Sequence, residues 1–179
     1  MFSLNEKIVY PGHGVAKITR IIHRNVTGKK ISFFELTFLN KDMTILVPVD
    51  NMITVGVRKL SSPKIIDHIL KLLATPVVST TIDESLATNW NKRQKDYYLR
   101  IRSGDLEKIC EIYRDLKHIA SKKELSFGEK SLLLETESLL VEEIALVSGT
   151  KEEKATEQLR SALSRVYSQN KSSEMAKNI

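Results

Sequence analysis

The stretch Thr88-Asn89-Trp90-Asn91-Lys92-Arg93-Gln94-Lys95 divides the chain into two halves of different character. Short β-branched runs come before it, and helical periodicity begins at it. It contains the only tryptophan among the 179 residues, and basic side chains follow at once. No other stretch joins so large an apolar side chain to so dense a positive charge. We therefore expect the rest of the chain to position this stretch.

The N-terminal half has the pattern of a small β domain. Runs of β-branched and aromatic residues predict strands at 7–10, 15–26, 31–39 and 43–49, with a candidate fifth at 52–57. Pro11-Gly12-His13-Gly14 and Asn40-Lys41-Asp42 are typical of turns. Pro48 cannot donate to a strand ladder, which predicts an edge position or a strand end. The pattern indicates a small barrel or a strongly bent sheet.

The C-terminal half is predicted to be helical. Ser62-Pro63 is a helix-start signal, and Ser126 with Glu129 and Thr150 with Glu153 have the form of capping boxes. We place a domain boundary within residues 75–87, which are rich in Thr, Ser and Val. The helices are predicted at 62–74, 90–102, 105–120, 126–147 and 150–167. The predicted organisation is a β-barrel domain at 1–60, a helix and connection at 61–87, an all-α bundle at 88–167 and a polar, fraying tail at 168–179.

The bulk composition favours an acidic partner. The formal net charge is +6 and the isoelectric point about 9.3, so nucleic acid is the first candidate and an anionic membrane surface the second. Simple solubility is the alternative explanation. A single cysteine excludes an intramolecular disulfide and suits a reducing compartment. With no signal-peptide pattern and no apolar run of membrane-spanning length, the sequence predicts a cytoplasmic protein.

Charge is also zoned along the helical half. Residues 88–123 contain ten Lys or Arg against five Asp or Glu, and residues 124–157 contain three against nine. A bundle built in this way is expected to have a basic side and an acidic side.

No constellation in the sequence indicates an enzyme. The histidines lack metal-ligand spacing, and no phosphate-binding glycine loop is present. Cys110 falls on the apolar side of a predicted helix, where a small core residue is expected. Glu142-Glu143 and Glu152-Glu153 are neighbours along helices, which favours a solvated face over an acid–base pair. The four histidines meant here are His13, His23, His68 and His118. We predict no catalytic residues, no cofactor, no metal and no small-molecule substrate.

The basic stretch is the strongest functional candidate. Lys92 and Lys95 share a face near the start of a predicted helix, whose N-terminal partial charge would add to theirs at a phosphate. Trp90 at the edge of that face could wedge into a minor groove, but a lone tryptophan is more often a packing anchor. The residues alone favour the anchor for Trp90 and leave the lysines open between phosphate contact and a solvated face. Tyr98, Ile101 and Leu106 are assigned to the core.

Six segments of the chain together form a recognisable set of motifs. They are Ile8-Val9-Tyr10-Pro11-Gly12-His13-Gly14-Val15-Ala16, Leu46-Val47-Pro48, Val55-Gly56-Val57-Arg58, Thr88-Asn89-Trp90-Asn91-Lys92-Arg93, Ser103-Gly104-Asp105 and Leu125-Ser126-Phe127-Gly128-Glu129-Lys130. These motifs resemble those of the CarD family of bacterial transcription regulators. The similarity runs in order through residues 1–150, and the Trp90 motif at the right distance from the N-terminal motif makes it specific.

The resemblance implies an SH3-like or Tudor-like N-terminal barrel that docks on the β subunit of RNA polymerase. It also implies a helical domain that contacts promoter DNA and stabilises the open complex. Trp90 matches the family's minor-groove wedge at the upstream edge of the melted region, and Lys92, Arg93 and Lys95 match its basic DNA contacts. Arg24 matches a polymerase contact, and Leu46 and Pro48 are expected at the same polymerase interface. Leu46, before Val47-Pro48, stands where some relatives have arginine, so that contact is expected to differ here.

Tethering to polymerase supplies a high local concentration, so weak and salt-sensitive DNA binding is expected of the isolated protein. A protein–protein adaptor without DNA contact is the main alternative. An RNA-binding barrel is a third hypothesis, disfavoured because the aromatic residues of the β half lie in apolar runs. A repair motor is excluded, since the chain has no helicase motif.

Overall fold

The computed structural model describes residues 2–75 and 90–177, with side chains as far as Ser164. It divides into two compact units: Met1–Leu60 with Arg102–Gly104, and Ser61–Ile101 with Asp105–Ile179. The first unit is built on a β-sheet and the second is helical. The predicted α+β class, a small β domain followed by a helical one, is confirmed.

The first unit is an antiparallel sheet with the strand order β4-β3-β2-β1-β5. The fifth strand lies later than the predicted 52–57, because a turn that contains Gly56, at φ 86°, occupies most of that segment directly after a short 3-10 helix at Val49–Asn51. Pro48 ends an edge strand, as its missing N–H requires. The strands are β1 (Lys7–Tyr10), β2 (Gly14–Val26), β3 (Lys29–Phe38), β4 (Thr44–Pro48) and β5 (Arg58–Lys59).

A bulge in β2 decides which side chains face outward. Ile18 pairs with Leu36, but the next pair is Arg20 with Glu35, so Thr19 is an extra residue in the ladder. An extra residue reverses the alternation of side chains along a strand. Before the bulge the even-numbered residues of β2 enter the core, and after it they lie on the opposite face. The core contains Ile8, Ala16, Ile18, Phe34, Leu36, Phe38, Val47, Met52 and Val57.

The buried Pro11 ring packs between two glycines of this unit. A Cβ atom built on Gly56 or on Gly104 would lie 3.2 Å from Pro11 Cγ. Arg58 Nε donates a hydrogen bond to the carbonyl oxygen of Gly104 at 2.7 Å. The segments that contain Pro11, Gly56 with Arg58, and Gly104 are distant in sequence but pack together here. The Pro11 ring leaves too little room for a side chain at Gly56 or Gly104.

The helical unit contains five helices among the described residues. The first is capped by Ser62, whose side chain accepts from the N–H of Ile65. Its Ile66, Ile69 and Leu73 are buried in the same core as the later helices. The division falls at Leu60, where the predicted barrel domain ends, and the predicted boundary within 75–87 lies, apart from Thr75, outside the described residues. The helices are α1 (Pro63–Leu73), α2 (Trp90–Arg102), α3 (Leu106–Lys122), α4 (Phe127–Ser148) and α5 (Glu152–Lys177).

The core of this unit departs from prediction at several positions. Tyr98 was predicted in the core but is 43% exposed, and its neighbour Tyr97 is buried. The face of α2 that packs on the core carries Arg93, Tyr97 and Ile101. Cys110 is fully buried as expected, and burial raises the pKa of its thiol to about 12. The hydroxyl of Thr150 has no hydrogen-bond partner in the described part of the chain, so the second predicted capping box is not formed. The last helix continues to Lys177 and does not end at Tyr167.

The predicted acidic side of the bundle is in large part internal. Glu142 and Glu143 were expected on a solvated face, but both are buried. Glu143 accepts a hydrogen bond from the N–H of Ser61 at 2.8 Å, next to the cap of α1. Glu137 accepts from the Tyr113 hydroxyl and from Arg160. Carboxylates of residues 124–157 such as Glu137 and Glu143 thus accept hydrogen bonds inside the helical unit and do not contribute to an acidic surface. None of the described helices is long and apolar enough to span a membrane.

Candidate nucleic-acid interface

Trp90 is the first residue of α2 and is only half-buried. One side of its indole packs on the helical core and on the first turn of α4. A Cβ atom at Gly128 would lie 3.0 Å from Trp90 Cζ2, so the absence of a side chain there makes room for the ring. The ring is therefore seated against the domain while part of its surface stays open to solvent.

Arg93, one turn after Trp90, points into the domain. It is only 7% exposed, and its Nη2 donates to Glu129 Oε1 at 2.7 Å. Its Cζ lies 5.5 Å from the centroid of the Trp90 ring, within cation–π distance. Arg93 was predicted as a DNA contact, and the structure instead places it in a buried ion pair beneath Trp90. A solvent-facing role does not fit this geometry.

Glu129 joins the starts of α2 and α4. Besides Arg93, it binds Ser126, whose N–H and hydroxyl each donate to Oε2 at 2.9 Å, which completes a capping box. Lys123 Nζ lies 3.6 Å from Oε1. Burial opposes ionisation of Glu129, but the Ser126 hydrogen bonds and the charges of Lys123 and Arg93 outweigh it, so its pKa is lowered. The carboxylate therefore stays charged and keeps Arg93 in place.

Lys92 and Lys95 lie on the outside of the same helix. Both are exposed, because the inward positions of α2 are taken by Arg93, Tyr97 and Ile101. The two ammonium groups sit three residues apart, on one face and within the first two turns after Trp90. The first two turns of α2 thus carry a half-buried indole on the inner face and two exposed cations on the outer face, and exposed cations can bind a polyanion.

Sequence reasoning missed three members of this arrangement: Gly128, Glu129 and Phe127. The Ser126 capping box did place Glu129 at a helix start, but its second partner comes from a helix 36 residues earlier. Nothing in the local pattern signals that long-range pairing. Phe127 is 88% exposed, which contradicts the usual burial of phenylalanine.

In the β unit, the three residues predicted to contact polymerase lie on one face of the sheet. The pairs Arg24 with Ile31, Phe33 with Pro48, and Glu35 with Leu46 are directly opposite in the ladder, so their side chains project to the same side. This outer sheet face consists of Arg20, Ile22, Arg24, Ile31, Phe33, Glu35, Leu46 and Pro48. Its centre is apolar and half-buried, and Arg24 and Leu46 are exposed.

Glu35 on the outer sheet face is held by Arg20. The Arg20 Nε and Nη2 atoms each donate to a different Glu35 carboxylate oxygen at 2.9 Å, and the Thr19 hydroxyl donates to Oε1 at 3.0 Å. The hydrogen bonds from Arg20 are the larger cause of a lowered Glu35 pKa. Leu46 therefore sits opposite an acid that already has a bidentate arginine partner.

Models of protein families match residues in both units of the chain. A family model described as the CarD-like/TRCF RID domain matches residues 2–61, and one described as the CarD C-terminal domain matches residues 74–160. A small β domain joined in this order to a helical domain defines a class of transcription regulators. The chain belongs to the CarD family.

Two known proteins illustrate the relationship. The chain is 23% identical over 152 residues to the putative transcription factor YdeB of Bacillus subtilis, which covers 85% of this chain and 95% of that protein. It is 27% identical to the 72-residue N-terminal domain of Myxococcus xanthus CarD, solved by solution NMR. That match covers 33% of this chain and 79% of the solved domain, with a TM-score of 0.29.

Proposed function

We propose that this protein binds the β subunit of RNA polymerase through its N-terminal domain and contacts promoter DNA through its helical domain. The DNA contact lies at the upstream edge of the transcription bubble, and its effect is to slow collapse of the open complex. The protein acts in the cytoplasm, where the polymerase is.

One observation carries this proposal: Trp90 is held half-exposed at the first turn of α2, and the exposed Lys92 and Lys95 follow it within two turns on the solvent face of the helix. A minor-groove wedge needs an apolar surface that is rigidly presented, since a mobile ring would lose entropy on insertion. The packing of Trp90 on Gly128 and Arg93 supplies that rigidity. The two lysines, on the solvent face of the same helix, supply phosphate contacts on either side of the groove that the indole enters.

The outer sheet face supports the polymerase half of the proposal. Its half-buried apolar centre, bordered by Arg24, is the composition typical of a docking surface for another protein. The match of residues 2–61 to the CarD-like/TRCF RID domain supports the same partner, since the β subunit is what the family resemblance implies.

The test is the lifetime of the open complex on a promoter with an unstable bubble, measured with purified polymerase. The wild-type protein is expected to lengthen it, and Trp90→Ala to lose most of that effect. The double variant Lys92→Gln/Lys95→Gln should lose part of it, and its deficit relative to wild type should shrink as salt is raised, because salt weakens the lysine contacts that only the wild type has. Lys151→Gln/Lys154→Gln makes the same charge change on exposed positions of another region of the helical unit and should behave as wild type.

The half-burial of Trp90 favours a second candidate, the protein–protein adaptor. In that case Trp90 serves only to pack the first turns of α2 and α4. If the wild-type protein binds polymerase but leaves the open-complex lifetime unchanged, that result would contradict the DNA contact and support the adaptor. Equal lengthening by wild type and by a folded Trp90→Ala variant would remove the wedge and leave only the lysines.

A further inference from the structure

Phe127 is the most exposed large apolar side chain in the part of the chain that the structure describes, at 88%. It is the first residue of α4, directly after the Ser126 cap. Single exposed apolar residues are common on protein surfaces. Its position relative to Trp90 is what distinguishes this one.

The neighbouring residue Gly128 is the one that seats the Trp90 ring, at 3.0 Å from its absent Cβ to Trp90 Cζ2. Consecutive Cα atoms lie about 3.8 Å apart. Phe127 is thus joined to the backbone on which the indole rests, and the capping box at Ser126 and Glu129 fixes the conformation of that backbone. The two large apolar side chains emerge from one structured junction between α2 and α4.

The charges around this junction suit an anionic partner. Lys123 Nζ approaches the same Glu129 oxygen that accepts from Arg93, so Lys123 stands at the edge of the Trp90 site with half of its side chain exposed. The acids on either side of Phe127 are both engaged: Glu129 is buried, and Glu124 accepts from Lys130 at 2.9 Å. Their charges are therefore balanced locally, although they belong to the acidic stretch of the sequence.

We propose that Phe127 is a second apolar DNA contact, placed beside Trp90 and flanked by Lys123. It packs on a base or sugar at the step next to the one that Trp90 opens, and Lys123 contacts an adjoining phosphate. Aromatic side chains pack on unstacked bases without sequence preference. DNA is favoured over a protein partner because Lys123 and the proposed wedge Trp90 approach the two residues that follow Phe127, at Glu129 and Gly128. The inference rests on the proposed function.

The first experiment compares open-complex lifetimes with wild-type protein, Phe127→Ala and Leu134→Ala. Leu134 is the matched control, since it is 67% exposed on the same helix, two turns further on. Loss of one aromatic contact to a base corresponds to roughly fivefold or more in stability of the complex. We expect Phe127→Ala to lower the protein's effect on lifetime by about that factor, Phe127→Tyr to retain it, and Leu134→Ala to match wild type.

The second experiment replaces Phe127 with photoreactive benzoyl-phenylalanine and irradiates the complete polymerase–promoter complex. Cross-linking to promoter DNA near the upstream bubble edge is expected. Cross-linking only to a polymerase subunit would overturn the DNA contact and make Phe127 part of a protein interface.

The outcomes separate this inference from the proposed function. If wild type lengthens the lifetime and Trp90→Ala abolishes the effect while Phe127→Ala matches wild type, the Phe127 contact is wrong and the wedge stands. If wild type has no effect on lifetime, the proposed function fails. DNA cross-linking from position 127 would then still report the contact by itself.

Discussion

Arg93 and Glu129 form an ion pair of 2.7 Å in which each side chain is less than a tenth exposed. The pair connects the first turn of α2 to the first turn of α4, beneath the Trp90 ring. Removing one partner of a buried ion pair typically costs about 3–5 kcal/mol. Because Ser126 and Lys123 would still satisfy Glu129, we expect Arg93→Ala to lower the free energy of unfolding by about 2–3 kcal/mol.

Urea unfolding monitored by fluorescence of the single tryptophan checks this prediction. Arg102→Ala is the matched control, because Arg102 is an exposed arginine at the end of the same helix. Its cost should stay within about 0.5 kcal/mol. Equal stability of the two variants would mean that the buried pair does not hold α2 against α4.

The ion pair also predicts a dependence on pH. The pKa of Glu129 is lowered in the folded state, so its contribution to stability is present above the ordinary carboxyl pKa of about 4.3 and is lost as pH falls through the lower folded value. The difference in unfolding free energy between wild type and Glu129→Gln should therefore be largest near neutral pH and shrink in acid.

Unfolding series from neutral pH down to about pH 3, below the ordinary carboxyl pKa, measure that difference. Glu153→Gln alters an exposed acid in the first turn of α5 and should give a difference that is small throughout the series. A constant gap between wild type and Glu129→Gln at every pH would show that shape and not charge holds the junction.

Gly104 offers a test of the packing around Pro11. Its φ of 68° is unfavourable for any residue with a Cβ, and that Cβ would lie 3.2 Å from the Pro11 ring. Gly104→Ala should destabilise the protein by about 2 kcal/mol, the sum of a backbone and a contact cost. Gly28→Ala isolates the first cost, since Gly28 has a φ of 79° and a Cβ atom added there would meet nothing within 4 Å.

Thermal unfolding of the two alanine variants gives the comparison. Gly28→Ala is expected to cost about 1 kcal/mol. Should Gly104→Ala cost no more than Gly28→Ala, the Pro11 ring must shift freely, and the close packing would not constrain this position.

Patterns local in sequence predicted much of the fold. The Ser126–Glu129 capping box, the burial of Cys110 and the four longer strands follow from spacing and residue type. The predictions that failed concern residues whose hydrogen-bond partners lie far away in the sequence. A charged residue is expected at the surface, yet Glu143 is buried because it accepts from the Ser61 N–H 82 residues earlier.

The candidate site shows the same division. The motif around Trp90 located it, and the helical spacing placed Lys92 and Lys95 on one face. The burial of the Arg93 side chain could not be predicted, because it depends on an ion pair with Glu129 in another helix. In the β domain, the single extra residue Thr19 reverses the faces of β2, and alternation of residue types alone does not reveal a bulge.

The outer sheet face yields a prediction for polymerase binding. Arg24 is exposed beside an apolar centre, and arginine is one of the residue types most often found among the strongest contributors to an interface. Arg24→Glu is expected to weaken binding of the whole protein to the β subunit by about tenfold or more. Lys30→Glu is the matched control, since Lys30 is exposed on the same hairpin but pairs with Asn25 on the opposite face.

Leu46→Arg sharpens the same test. It introduces the residue type that the family resemblance implies at this position, and it places the new arginine opposite Glu35, which Arg20 already binds through two hydrogen bonds. Since Glu35 is engaged, the new guanidinium is left to contact the partner, and binding should tighten by about threefold. Binding to the immobilised β subunit, measured for all three variants, checks both expectations. Unchanged binding by Arg24→Glu together with weakened binding by Lys30→Glu would move the docking surface to the other face of the hairpin.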